Sequence, residues 1–347
     1  MLQNQNRRGQ FAVYGVALLA VLLAPALGVY PVFVLKVLCF ALFACAFNLL
    51  IGYTGLLSFG HAAFFGGAGY VAGHAMKEWG LTPELGLLAG TAFAALAGWA
   101  MGALAIRRQG IYFSMITLAL AQMLYFFCLQ APFTGGEDGI QGIPRGKLLG
   151  FLPLDSDLTL YYVVLAIVVV AFALIVRTIH SPFGQILKAI KENEPRAVSL
   201  GYDVDRFKLL AFVLSAALSG LAGSLKALVL GFETLTDVHW SMSGAVILMT
   251  LVGGLGTLTG PIVGALVVIA LENKLGDLGM FLASATGVEW FNTLGESVTM
   301  VTGIIFVICV LTFRRGIVGE IIAVADQWRA RRKTATAPLG SHLVDRG

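Results

Sequence analysis

The sequence predicts an all-α, polytopic membrane protein with about ten transmembrane or half-spanning helices. Hydrophobic residues make up 58% of the 347 residues and charged residues only 12%. The mean hydropathy is +0.86, and the apolar runs are long and continuous. A soluble domain carries about 25% charged residues, and the strands of a membrane barrel alternate in polarity over about 10 residues. These observations favour spanning helices over both of those classes.

The apolar runs place the helices in order, because a helix needs about 20 mostly apolar residues to cross a bilayer. The predicted spans are 11–30, 33–51, 55–76, 85–106, 111–130, 159–178, 209–231, 244–271 and 296–313. The run 244–271 is too long and too glycine-rich for one plain helix. Its centre, from Gly253 to Pro261, therefore predicts a break into two segments, which gives ten in all.

The first apolar run also resembles a signal peptide, since Arg7 and Arg8 precede it. It is longer than an ordinary signal core of about 7–15 residues, and no small-residue cleavage site closes it. We therefore expect an uncleaved first span. The four cysteines all lie in apolar runs without a CxxC pairing, so neither a metal site nor a disulfide framework is implied.

The loop charges predict the orientation, because short cytoplasmic loops carry an excess of Lys and Arg. Arg7 with Arg8, Arg107 with Arg108, the loop 180–208 and the basic tail would all be cytoplasmic. Ten segments return both termini to the cytoplasm and agree with every marker. The predicted outer loops are 77–84, 131–158, 232–243 and 272–295, and we expect 131–158 to be a folded external loop.

The chain then divides into three regions. Residues 1–32 form the N-terminal cytoplasmic end and the first transmembrane span, and residues 33–313 form the membrane domain. Residues 314–347 form a basic cytoplasmic tail that is partly disordered, because its end is rich in small and polar residues.

Two stretches rich in small residues are candidates for lining a translocation path. Small residues allow helices to approach closely and also permit broken helices that face a cavity. The stretch 50–58 can be laid over 251–259 with both glycines matched, as in proteins built from two similar halves. Tight helix packing and chance similarity are the alternatives. The candidate path residues are Asn48, Thr54, Ser58, His61, Gly254, Thr257 and Thr259.

The loop 180–208 carries five Lys or Arg residues and four Asp or Glu residues, whereas the flanking spans carry almost none. Pro195 interrupts its helical apolar spacing and predicts two short helices. Asn193 and Glu194 would cap the second helix, and Gly201 would end it. Such a helix fits a groove on a soluble partner. The alternative is an interfacial helix lying on lipid.

Lys226 stands about one turn inside the outer end of the span 209–231. It would snorkel outward, pair with an acid, or attract a carboxylate substrate. The chain contains no G-x-x-x-x-G-K-[ST] motif and no H-E-x-x-H motif, so we expect it to bind no ATP through a P-loop. No catalytic or metal-binding residues are predicted, and His61 has no acid within a helical turn to form a proton relay.

Five ordered stretches resemble one transporter family. They are NLLIGYTGLLSFGHAAFFG (48–66), GIYFSMITLALAQM (110–123), FTGGEDGI (133–140), the stretch 181–225 and LVGGLGTLTGPIVGA (251–265). Together they resemble the M-type permease subunit (LivM-like) of branched-chain amino acid ABC importers. Relatives in this family also transport urea, short amides and aromatic acids, so the resemblance leaves the solute open.

The resemblance implies several partners and a mechanism. The chain would be the permease domain, without a cofactor of its own, paired with an H-type permease in the bacterial inner membrane. Two cytoplasmic ATPase subunits would bind ATP and Mg²⁺, and a periplasmic binding protein would deliver the amino acid. The stretch 185–201 would be the coupling helix. The expected coupling residues are Lys188, Ala189, Glu192, Asn193, Glu194, Ala197, Leu200 and Gly201.

Two other functional classes compete with this interpretation. A secondary transporter driven by an ion gradient would carry acids near the midplane, and the sequence offers only peripheral acids such as Glu272. A membrane enzyme would need a polar cluster at depth, and the spans contain almost no acids or histidines.

Overall fold

The structure is a computed structural model that describes residues 19–25, 28, 30–150, 152–286, 303–304, 307, 311 and 316–320. Its main helices are α1 (Pro31–Thr54), α2 (His61–Lys77), α3 (Pro83–Ala105), α4 (Ile111–Gln130), α5 (Asp157–His180), α6 (Pro182–Glu192), α7 (Glu194–Ser199), α8 (Val204–Leu230), α9 (Leu235–Val238), α10 (Trp240–Gly253) and α11 (Gly260–Thr286). Four short strands are β1 (Ile140–Gln141), β2 (Lys147–Leu148), β3 (Leu152–Pro153) and β4 (Phe232–Glu233).

Five of the described helices, α1, α3, α4, α5 and α8, are long and apolar enough to cross a membrane. The chain is therefore an all-α polytopic membrane protein, as predicted. Most of α1 and α8 is buried, whereas only a minority of the residues in the apolar windows of α3, α4 and α5 is buried. Large apolar side chains such as Leu96, Trp99 and Val170 stand on the exposed faces. A soluble protein rarely exposes apolar surface of that extent, and lipid would cover it.

Helix α8 is the centre of the bundle and packs against α1, α2 and α3. Glycines make these crossings close, because a side chain at Gly223 would meet the backbone of Phe65, and one at Gly220 would meet Ala94. Helices in lipid associate through such small-residue contacts, since no hydrophobic effect draws one apolar helix to another.

Two breaks interrupt the helices. The first break, residues 55–60, separates α1 from α2, so the predicted span 55–76 begins as a helix only at His61. Gly55 at φ +78° ends α1, a backbone conformation that favours glycine. The second break, residues 254–259, separates α10 from α11. The predicted break inside the run 244–271 is therefore confirmed.

Helix α11 continues to Thr286, so the prediction of a loop from residue 272 is wrong. The polar residues Glu272, Asn273 and Lys274 suggested that loop. They lie inside the helix, where the Asn273 side chain folds back and its Nδ2 donates to the carbonyl of Ile269 at 2.8 Å. No proline follows Pro261 before residue 287, and proline is the residue that breaks a helix interior.

The connections gather at two ends of the bundle. We call residues 181–203, which contain α6 and α7, the elbow. Both breaks lie at the same end of the bundle as the elbow. At the sheet end, β1 pairs antiparallel with β4, and β2 with β3. The loop 131–158 is folded, as predicted, since it contains three strands and two short 3₁₀ turns.

The predicted spans 11–30 and 296–313, Arg7, Arg8 and the tail 314–347 lie wholly or largely outside the described residues. The orientation and the three-region division therefore stay predictions. Cys39, Cys45 and Cys128 are buried free thiols.

Candidate functional site

The elbow is built by local signals in its sequence. The Ser181 hydroxyl accepts from the Gly184 backbone N–H at 3.4 Å and caps α6, with Pro182 in the first turn. The Asn193 side chain accepts from the Arg196 N–H at 3.1 Å and caps α7. Gly201 follows α7 at φ +87°. The predicted pair of short helices, the Asn193 cap and the glycine stop are all confirmed.

The elbow presents two different faces. Leu187, Ile190 and Ala197 are buried, and the last two pack with Val204 in a small apolar cluster. Ala197, expected among the outward coupling residues, thus faces the chain itself. The outer face exposes apolar groups at Val198 (57%) and Leu200 (68%). The exposed expected residues on the elbow are Ala189, Glu192, Asn193, Leu200 and Gly201.

The Glu194 side chain is bonded to two other residues of this chain. Its Oε1 accepts from Lys208 Nζ at 2.7 Å and from Gln109 Nε2 at 2.9 Å. The Lys208 side chain is only 4% exposed, so this ion pair ties α7 to the start of α8 and to the turn before α4. The sequence did not reveal this lysine as a partner of Glu194, and the expected role of Glu194 in coupling to an ATPase stays a prediction.

Two lysines of α6 reach the last turn of α1. Lys191 Nζ donates to the Gly52 carbonyl at 2.7 Å, and Lys188 Nζ lies 5.5 Å from the centre of the Tyr53 ring. Residues three apart share one face of a helix, so this face of α6 looks toward α1. Lys188 was among the expected coupling residues, whereas Lys191 was not.

The last turns of α1, just before the first break, contact the second break directly. The Asn48 side chain donates to the Thr257 carbonyl and accepts from the Gly256 N–H, both at 2.9 Å. The Tyr53 hydroxyl donates to the Gly256 carbonyl at 3.1 Å. The Thr257 hydroxyl donates to the Gly254 carbonyl at 2.8 Å. Three of the predicted path residues, Asn48, Gly254 and Thr257, thus form one locus.

Hydroxyl groups from distant helices hold the first break. Ser114 Oγ donates to the Leu57 carbonyl at 2.6 Å, and the Phe59 N–H donates to Thr117 Oγ1 at 3.2 Å. Ser243 Oγ donates to the Phe59 carbonyl at 2.8 Å. Non-helical backbone at membrane depth requires such partners, because lipid supplies none. The sequence reasoning missed these three hydroxyls, although each interrupts an apolar helix.

The other predicted path residues lie outside this contact. Thr54 bonds back to the Leu50 carbonyl at 2.6 Å, and Ser58 accepts from the Gly60 N–H at 3.1 Å. His61 is fully buried, with Nε2 2.9 Å from the Ser215 hydroxyl and aromatic rings around it. Thr259 is half-buried at the second break. Their role in a path stays a prediction.

A charge cluster, defined as Lys226, Glu233 and Asp237, is buried at the sheet end. Lys226 Nζ donates to Glu233 Oε2 at 3.2 Å and to Asp237 Oδ2. All three side chains are at most 6% exposed, and the ammonium lies 5.3 Å from the centre of the Phe232 ring. The prediction that Lys226 snorkels outward is wrong, because the chain folds back over it, and the alternative that it pairs with an acid is confirmed.

The two carboxylates of the cluster differ in their partners. Asp237 Oδ2 also accepts from the Thr234 N–H at 3.2 Å and from the Thr234 hydroxyl at 2.7 Å. Glu233 Oε1 has no hydrogen-bond partner among the described residues. Burial raises the pKa of Glu233 well above its ordinary value, and the nearby Asp237 raises it further against the opposing effect of Lys226. Asp237 Oδ2 therefore accepts three hydrogen bonds and Glu233 accepts one, and Glu233 holds a proton more readily than an exposed glutamate does.

Within the described residues, no group of three or more His, Cys, Asp or Glu side chains is arranged to hold a metal ion. The geometry instead shows two mechanical features. One is the contact of the elbow with the last turn of α1, which in turn contacts the second break, and the other is the buried charge cluster at the opposite end.

Comparison with known proteins identifies a family. The model of a family described as "Branched-chain amino acid transport system / permease component" matches residues 32–311. This match covers both breaks, the elbow and the charge cluster.

The named relatives are transporters of different solutes. The high-affinity branched-chain amino acid transport system permease protein LivM of Escherichia coli (strain K12) is 28% identical over 262 residues, 67% of this chain and 60% of that protein. The autoinducer 2 import system permease protein LsrC of Klebsiella pneumoniae is 28% identical over 195 residues, 53% of each chain. The ribose import permease protein RbsC of Bacillus subtilis (strain 168) is 30% identical over 175 residues, 46% of this chain and 51% of that protein. The chain thus spans 60% or less of the length of these relatives.

Proposed function

Because this chain belongs to the family of permease components of branched-chain amino acid transport systems, we propose that it is the membrane-spanning M-type permease subunit of an ATP-driven importer. It moves branched-chain or related amino acids across the bacterial inner membrane. It carries out no bond chemistry, since separate subunits bind and hydrolyse ATP with Mg²⁺.

The observation that carries this proposal is the elbow. Its outer face exposes Val198 and Leu200 beside charged residues, while its inner face is bonded to both the bundle and the end of α1. A helix that is anchored on one side and apolar on the other fits a cleft on a soluble protein. The proposed occupant of that outer face is one of two cytoplasmic ATPase subunits.

The remaining partners complete the importer. An H-type permease pairs with this chain, and the solute passes along their interface. A periplasmic binding protein delivers the solute, so weak contacts from this chain suffice for release. ATP binds the closed ATPase dimer better than the open one, and that difference in affinity shifts the permease between outward-open and inward-open states. Both termini of this chain are then cytoplasmic.

The solute class is proposed from the E. coli relative. Its printed name specifies branched-chain amino acids, and it covers more of this chain than the autoinducer and ribose permeases do. Urea, short amides and small carboxylates are the alternatives within the family.

Reconstitution in proteoliposomes tests the proposal. This chain is co-expressed with the second permease and the ATPase subunits encoded beside it, and the binding protein is added on one side. We expect uptake of radiolabelled leucine that requires ATP and is inhibited by excess valine. Uptake driven by an ion gradient without ATP would contradict the proposal. Uptake of urea or ribose instead of leucine would contradict the solute class alone.

Variants of the outer face test the docking surface. Leu200→Asp places a charge on the exposed apolar face, and we expect the ATPase subunits to be lost when the permease is purified through an affinity tag. The control is Arg206→Ala at the start of α8, where the side chain is 83% exposed and lies beyond the elbow. Retention of the ATPase subunits by Leu200→Asp would contradict this role of the elbow.

A further inference from the structure

Lys191 of α6 donates a hydrogen bond to a carbonyl at the C-terminal end of α1. The last four carbonyls of an α-helix have no partner within the helix. In α1 the Ile51 carbonyl accepts from the Gly55 N–H at 3.2 Å, and the Gly52 carbonyl accepts from Lys191 Nζ at 2.7 Å. A cation at the negative end of a helix is also favourably placed toward the helix dipole. The end of α1 therefore depends on a side chain of α6.

The same turn of α1 is bonded to the second break. Asn48 bonds the N–H of Gly256 and the carbonyl of Thr257, and the Tyr53 hydroxyl bonds the carbonyl of Gly256. These bonds come from side chains within one and a half turns of Gly52, and helices bend little over that length. A displacement of the last turn of α1 must therefore move the second break or break those bonds.

Gly52 leaves no space for independent movement. A Cβ built on Gly52 would lie 3.0 Å from the backbone nitrogen of Gly256, closer than ordinary van der Waals contact. The two backbones meet there without an intervening side chain. Packed contacts of this kind do not deform gradually but pass between discrete arrangements.

We propose that Lys191 is the positioning residue through which the elbow moves both breaks as one gate. When the ATPase cleft displaces α6, the bond from Lys191 to the Gly52 carbonyl draws the last turn of α1 with it. Asn48 and Tyr53 then carry the displacement to residues 254–259. This inference rests on the proposed function, since it needs a partner that moves the elbow.

The bond is specific to Lys191. Lys188 lies on the same face of α6, and its ammonium meets the Tyr53 ring at 5.5 Å. Removing Lys188 leaves the Gly52 bond in place, whereas removing Lys191 leaves the Gly52 carbonyl without this donor. The matched control for Lys191→Met is Lys77→Met, which deletes the same chemical group from an exposed lysine at the end of α2, outside the elbow and both breaks.

The test compares ATP hydrolysis, assembly and uptake in the reconstituted importer. For Lys191→Met we expect the ATPase subunits to stay bound and ATP hydrolysis to continue, while leucine uptake per ATP hydrolysed falls about tenfold, near the upper part of the range for residues that couple two sites. Lys191→Arg keeps a donor and restores most of the uptake. The control Lys77→Met retains most of the uptake per ATP.

A second variant tests the other half of the connection. Tyr53→Phe removes only the hydroxyl bond to Gly256, and we expect the same loss of uptake per ATP to a smaller extent. Uptake per ATP hydrolysed in the double variant Lys191→Met with Tyr53→Phe should equal that of Lys191→Met alone, because both changes interrupt the same connection from α6 to the second break.

Two results would overturn the proposed role of Lys191 while leaving the proposed function intact. One is wild-type uptake per ATP in Lys191→Met, and the other is loss of the ATPase subunits from that variant, which would make Lys191 a docking residue. An importer containing the unaltered chain that shows no ATP-dependent uptake would instead overturn the proposed function.

Discussion

Replacement of Lys226 by methionine should strongly destabilise the protein. Methionine fills a similar volume, so packing around α8 is nearly preserved while the ammonium is lost. Two carboxylates, Glu233 and Asp237, then remain buried without the cation that contacts both. Removing one partner from a buried ion pair costs about 3–5 kcal/mol. A loss of that size lowers the unfolding temperature by on the order of 10 °C for a domain of this size.

The two carboxylates should respond differently to amide substitution. Glu233→Gln keeps an oxygen that can accept from Lys226 and removes an acid whose pKa burial raises, so we expect the smaller change, about 1 kcal/mol. Asp237→Asn removes the charge that faces Lys226 and disturbs the bonds to Thr234. We expect about 2–4 kcal/mol of destabilisation there, because the lysine is left buried beside neutral groups.

The pH dependence follows from the raised pKa of Glu233. An acid with a higher pKa in the folded state binds more protons there than in the unfolded state, so the folded state gains stability as pH falls. That contribution is complete below the ordinary pKa of Glu233 and is lost as pH rises through its folded-state pKa. Wild-type protein should therefore gain stability on acidification across this window, and Glu233→Gln should lose that part of the dependence.

Thermal unfolding of the purified protein in nanodiscs, followed by intrinsic tryptophan fluorescence between pH 5 and pH 8, measures all three variants. Equal unfolding temperatures for Lys226→Met and wild type would refute the reasoning. So would a Glu233→Gln variant as unstable as Asp237→Asn, because the two acids would then contribute equally to stability despite their different hydrogen-bond partners.

Three further outcomes are expected. Glu194→Lys places a second cation beside Lys208 and should cost about 3 kcal/mol in thermal unfolding, whereas Glu194→Gln should cost about 1 kcal/mol; equal effects would exclude the ion pair. Asn48→Leu removes both bonds to the second break. The thiol introduced by Leu255→Cys should then be labelled faster in the Asn48→Leu variant than in a protein with Asn48 intact. Gly223→Leu cannot fit against the backbone of Phe65 and should abolish folded protein in size-exclusion chromatography, whereas Gly244→Leu, which has open space, should not.

The features that local chemistry determines could be predicted from the sequence. The second break follows from the glycine-rich centre of an overlong apolar run, and the elbow follows from Asn193, Pro195 and Gly201. Each of these depends on backbone conformation within a few residues. The predicted loop from residue 272 failed because charge alone does not end a helix that keeps its internal hydrogen bonds.

The partners of individual side chains could not be predicted, since they depend on contacts between distant helices. Glu194 turns inward because Lys208 is buried fourteen residues later. Lys226 meets its acids because the chain reverses at Gly231. The acids seven and eleven residues beyond Lys226 were a usable signal, but the turn that brings them back was not recognised.

The hydroxyl bonds to the first break have a consequence for biosynthesis in the membrane. The partner of the Phe59 carbonyl, Ser243, is separated from it by 184 residues. The residues of α2 through α9 must therefore be synthesised before that carbonyl acquires this donor. Until then that carbonyl needs another hydrogen-bond donor, such as water, so we expect the first break to reach its final conformation only after α10 has been inserted.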